Sequence, residues 1–182
     1  GGAWTLSDAL DVDNTATITA GTLDANSTSN YGITVGANWS NSGTFTARSG
    51  TVTLDGVNQT ISGATTFYNL TKNDTNDNGT NRTLTFPAST TTTVSGTFTA
   101  NGTDATDKVL MVSSSPGTQW SINPTTVSTT YSTVTDSNNT RGTVIDESAD
   151  SNVTDGTGNT GWVFSTTTAF TWIGATSTWS TG

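Results

Sequence analysis

The chain has 182 residues, of which 30% are hydrophobic and 10% charged, with a formal net charge of −9 and neither Cys nor His. That length can hold a core of ordinary size. Missing Cys excludes disulfides, thiol catalysis and Cys-based zinc sites, and missing His removes the commonest general base and transition-metal ligand.

The basic residues Arg48, Lys72, Arg82, Lys108 and Arg141 stand singly. Neutralising phosphates takes clustered cations, so neither nucleic acid nor an anionic lipid surface is expected as a partner. No apolar run is long enough to cross a membrane as a helix. Threonine occurs 46 times. It is β-branched, stiff at its first torsion and suited to a pleated, half-buried surface. No stretch places apolar residues at helical spacing, so the chain is expected to be all-β.

In chain order, alternating strands are expected at residues 16–19 (Ala-Thr-Ile-Thr), 21–25, 31–35, 43–47, 50–54, 59–62 and 67–71. They continue at 82–86, 96–100, 109–112, 119–122 and 131–135. Each is short, with one apolar face and one Thr or Ser face, and Gly, Asn, Asp and Ser punctuate them. Four share the pattern Gly-Thr-apolar-x-apolar, beginning at Gly21, Gly43, Gly50 and Gly96. Ser-Gly-Thr-Phe-Thr-Ala occurs twice, at 42–47 and 95–100. The first two units are separated by a distance that suits one coil of a β-solenoid. An inner apolar set of Ile18, Leu23, Val35, Phe45, Val52, Ile61, Leu70, Leu84 and Phe98 is expected to form a narrow core.

The chain divides into stacked β-coils over 1–141, an acidic loop and final coil over 142–168, and a C-terminal strand over 169–182. The last leads into, or is donated to, a neighbouring unit. Together with the Gly1-Gly2 start, it suggests an excerpt from a longer repetitive protein. Short strands, few hairpin dipeptides and recurring segments favour a parallel β-solenoid, with an antiparallel β-sandwich as the alternative.

Residues 31–47 (Tyr-Gly-Ile-Thr-Val-Gly-Ala-Asn-Trp-Ser-Asn-Ser-Gly-Thr-Phe-Thr-Ala), 50–61, 66–71 and 136–140 together resemble repeats of very large bacterial surface proteins. These are similar to filamentous haemagglutinin and autotransporter passengers. The resemblance covers about residues 4–164. It implies a right-handed parallel β-helix, an extracellular location and an adhesive or structural role, and it carries over no catalytic residue.

Several motifs stand out. Asn-x-Ser/Thr sequons are frequent, and Asn73, Asn78, Asn81 and Asn101 are the glycosylation candidates because turns are expected there. Asp74, Asn76 and Asn78, followed by Gly79, match the first half of a calcium loop. Its twelfth position is Thr85, where a bidentate Glu belongs, so an Asx-rich turn is the simpler expectation. Two carboxylates at a defined separation would suit a glycosidase, but one Glu and scattered basic residues do not assemble such a site. Trp39, Trp120 and Trp162 are expected in the core, and Trp4, Trp172 and Trp179 at contacts between units. The expected function is a structural segment of an extracellular surface protein or filament, assembling head-to-tail through sheet edges with copies of itself or adjacent repeats. The alternatives are an adhesin or carbohydrate-binding module recognising surface glycans and, third, a polysaccharide-acting enzyme. No cofactor is expected beyond the weak calcium candidate.

Overall fold

The computed structural model describes residues 1–166. The sequence expectations at 169–182, including Trp172 and Trp179, lie outside them. In chain order the strands begin with β1 (Ala3–Thr5), β2 (Leu10–Val12), β3 (Ala16–Ile18), β4 (Thr22–Asp24), β5 (Ile33–Val35) and β6 (Trp39–Asn41). Then come β7 (Thr44–Thr46), β8 (Thr51–Leu54), β9 (Gln59–Ser62), β10 (Thr66–Phe67), β11 (Asn69–Asn73), β12 (Arg82–Phe86) and β13 (Thr91–Asn101). The rest are β14 (Val109–Ser113), β15 (Trp120–Thr130), β16 (Ser132–Val134), β17 (Ser137–Asn139), β18 (Ile145–Glu147), β19 (Val153–Asp155) and β20 (Trp162–Phe164). No helix occurs among the described residues.

Every pairing between these strands is parallel. One sheet runs β17-β15-β13-β11-β8-β5-β2, with β10 also paired to β13, and a second runs β19-β16-β14-β12-β9-β6-β3. A third is β1-β4-β7, and β18 pairs with β20. Parallel neighbours need a long return connection, and here the chain visits other sheets before coming back. Leu10 lies opposite Ile33, Ile33 opposite Val52, Val52 opposite Leu70, Leu70 opposite Phe98 and Phe98 opposite Val127. This parallel pairing rules out the antiparallel sandwich. The span 142–168, expected to be an acidic loop and a final coil, contains three short strands, β18, β19 and β20, in which Ile145, Val153 and Trp162 each supply a buried side chain.

The recurring Gly-Thr-apolar unit has a steric reason. A Cβ on Gly43 would lie 2.8 Å from the Gly21 carbonyl oxygen, one on Gly50 2.6 Å from that of Tyr31, and one on Gly96 2.4 Å from Asn69 Oδ1. Gly43 and Gly50 let the chain enter β7 and β8 against the preceding pass, whereas Gly96 lies within β13, at the register shift between Val94 and Thr97. The spacing of Gly21 and Gly43 matches a true register, with Thr22 opposite Thr44. The two identical hexapeptides do not stack on each other. Phe45 lies opposite Leu23 in the three-stranded sheet, whereas Phe98 lies between Leu70 and Val127 in another.

One apolar cluster runs through the described chain, and it includes every expected inner residue, with Leu23 packed at its margin. Trp39, Trp120 and Trp162 are buried as expected. Trp39 packs edge-on to Phe45, with ring centroids 4.9 Å apart, and Phe86 stacks on Trp120 at 3.9 Å. Each buried indole N–H is satisfied, donating to Thr65 Oγ1 at 3.1 Å, the Thr135 carbonyl at 2.8 Å and Ser137 Oγ at 3.0 Å respectively.

Candidate functional site

Two loops on one flank bring together a close group of three carboxylates. One, residues 74–81, joins β11 to β12. The other, residues 102–108, joins β13 to β14 on the next pass. Asp107 is fully buried and accepts backbone N–H bonds from Thr80 at 2.8 Å, Gly79 at 2.9 Å and Asn78 at 3.2 Å. Burial pushes its carboxyl up, but these N–H donors outweigh burial and leave it below the ordinary carboxylate range. The Asp104 carboxyl is also lowered, chiefly by the Thr106 N–H, which donates at 2.6 Å. Oxygens of Asp77, Asp104 and Asp107 lie within 4.8 Å of one another.

This group is different from the weak calcium candidate of the sequence, Asp74, Asn76 and Asn78. Asp74 is buried and turned inward, with Oδ1 accepting from Arg82 Nε at 2.7 Å and from the Asn76 N–H at 2.9 Å. Asn78 Oδ1 accepts the Thr80 N–H at 3.1 Å. Asp74 and Asn78 thus bind the loop to itself and to Arg82. Among the sequon candidates, Asn78 and Asn81 are exposed in the loop. Asn73 and Asn101 correct the expectation of turns: they end β11 and β13, lie opposite each other, and have buried amide oxygens.

Beneath the loops sits a buried cation that sequence reasoning passed over as one scattered basic residue. Lys72 Nζ donates to Gln59 Oε1 at 2.6 Å and to the Gly56 carbonyl. Gln59 in turn donates to the carbonyls of Val35, at 2.7 Å, and Ala37. Burial first, and then the positive charge of Arg82, push the Lys72 ammonium down to about 8, while Asp55 and Asp74 pull the other way. The alternation held the signal: Leu70, Lys72 and Asp74 share one parity, and Leu70 points inward.

The outer strands of the parallel sheets are the other candidate. Trp4 on β1 is 58% exposed. With Thr17, Ile18, Thr19, Ala20 and Leu23 it lines a notch of about 260 Å³. At the opposite end Val163 on β20 is 44% exposed. Comparison with protein-family models, curated proteins and solved structures finds no match to this chain.

Proposed function

We propose that this chain is a structural segment of an extracellular, repetitive surface protein or filament. In this reading it is a right-handed parallel β-solenoid that joins head-to-tail with copies of itself or with adjacent repeats. The observation that carries the reading is the pair of open ends. Among the described residues, β1, β2 and β3 each have one strand partner, on the side of the following pass, and β19 and β20 have one each, on the preceding side. Their outer N–H and C=O groups form a template for another parallel strand. Trp4 and its notch add apolar surface at the first end. Right-handedness follows the near-universal sense of parallel crossovers, and the extracellular setting rests on the resemblance in residues 31–47.

Sedimentation velocity across a hundredfold concentration range, with negative-stain images of the concentrated sample, tests the assembly. Linear end-to-end species growing with concentration are the expected result. A monomer at all concentrations, with rapid hydrogen exchange at both terminal strands, overturns it.

A further inference from the structure

The outward side of the largest sheet carries a second property, independent of how the ends behave. Thr34, Thr53, Thr71, Thr99 and Ser128 occupy successive strands in direct register and form one rank. Two residues upstream on four of those strands stand Thr51, Asn69, Thr97 and Thr126. Thr51 is registered with Asn69, and Thr97 with Thr126. Asn69 ties this second rank together, accepting the Thr97 N–H at 2.9 Å and donating to Thr51 Oγ1 at 3.3 Å. All nine side chains are half-buried or exposed, and none is charged; the first rank ends at the exposed carboxylate Asp11 of β2, which is registered with Thr34. Between the ranks Val52, Leu70 and Phe98 point into the core, with Val127 partly buried against it.

The result is a two-dimensional grid of hydroxyl and methyl groups. Its repeat is about 4.8 Å across the strands and about 6.7 Å along them. Threonine is stiff at its first torsion, so the grid is ordered before anything binds and little entropy remains to be lost. The ligand chemistries that other surfaces serve are absent from it. No aromatic ring stands in either rank as a platform for sugar stacking, the exposed Tyr68 lying to one side of Asn69 against Gly96; no cation meets phosphate, and no carboxylate pair meets a metal. The repeat across the strands lies close to the oxygen repeat along the a axis of ice, and the repeat along them falls somewhat short of that along c, a gap that a tilt of the threonine side chains would narrow. Hydroxyls at such spacing can hydrogen-bond lattice waters while the methyls seat between them.

We propose that this grid is an ice-binding surface whose ligand is the crystal face of frozen water. The neighbouring sheet offers an internal control. Its outward rank, Thr22 and Thr44, runs beside Asp24, which is ion-paired to Arg48 at 2.6 Å, so a charged pair interrupts any second rank there.

The test is ice-recrystallisation inhibition and thermal hysteresis on the purified chain, beside Thr71→Tyr on the grid and Thr44→Tyr on the control sheet. Expected are activity in the parent, its loss in Thr71→Tyr and its retention in Thr44→Tyr, with all three melting alike. If Thr71→Tyr melts lower, the double variant Thr126→Tyr/Ser128→Tyr, at exposed positions, takes its place. A parent no more active than an equal mass of albumin overturns the proposal. So does a folded grid variant as active as the parent, a folded Thr44→Tyr as inactive as Thr71→Tyr, or co-sedimentation with microcrystalline cellulose or chitin without any effect on ice.

Discussion

Asparagine does more bridging in this chain than its reputation as a turn former suggests. Asn38, Asn58 and Asn81 each stand one residue before a strand, namely β6, β9 and β12. Their Oδ1 atoms accept the N–H of Thr60, Thr83 and Lys108 from the following pass, at 2.8, 2.9 and 2.8 Å. The residue after each asparagine points inward, and the next points outward as Ser or Thr. Much of the sequon frequency is therefore architectural: a bridging amide, a core residue and a strand hydroxyl spell Asn-x-Ser/Thr. Asn58→Ala strands the Thr83 N–H and is expected to cost about 1 kcal/mol in urea denaturation. Asn58→Asp keeps an acceptor and should lose less. Equal losses in the two variants would show that the bridge contributes nothing.

Lys72 makes a second residue-scale claim. Its folded value of about 8 lies below the ordinary lysine value of 10.5, so between those pH values the unfolded chain holds a proton that the folded chain has released. Stability should accordingly rise with pH across that window, by on the order of 3 kcal/mol. In Lys72→Met the rise should vanish, whatever that variant's absolute stability. Chemical denaturation of both proteins at pH 7.5 and 10 measures the difference.

At the scale of elements, strand existence was the readable part. Short alternating runs specify strands, and nearly all of those expected are present. Partner choice was less readable. The repeated hexapeptide shows why: Ser-Gly-Thr-Phe-Thr-Ala encodes a close backbone approach at Gly, an inward Phe and outward Thr, and those demands are met equally well in either sheet. Nor was the Asp77, Asp104 and Asp107 group legible, since it depends on two loops lying side by side, and that follows from the register of Leu70 with Phe98. The Asx-rich turn expected at Asp74, Asn76 and Asn78 is what the hydrogen bonds show, and parity adds the inward partner, because Asp74 shares the face of Leu70 and meets Arg82, which shares that of Leu84. Packing between elements centres on the aromatic pairs. Trp120 stacks on Phe86 and donates its indole N–H to Thr135, so Trp120→Ala leaves a cavity and an unpaired carbonyl together. A loss of about 3–5 kcal/mol is expected in thermal or urea unfolding. A loss below about 1 kcal/mol would mean that the layer collapses without penalty.

Over the whole molecule, two influences act on the ends in opposite senses. In the proposed head-to-tail assembly the open strands and the Trp4 notch would favour contact, while a net charge of −9 would make every copy repel the next. That repulsion is screened beyond about 10 Å at 0.1 M salt, whereas strand pairing and apolar burial act at contact and are not weakened by screening. End-to-end association should therefore strengthen from 20 to 300 mM NaCl, the reverse of what an attraction between opposite charges would give. Trp4→Lys removes apolar surface from the contact and sets an ammonium at a strand edge. It reduces the net negative charge, so repulsion alone would have it associate more readily than the parent. Loss of the apolar contact predicts weaker association instead, by tenfold or more, or about 1.4 kcal/mol. The two accounts differ in sign, and sedimentation equilibrium of the parent and Trp4→Lys at 300 mM NaCl, where charge matters least, decides between them.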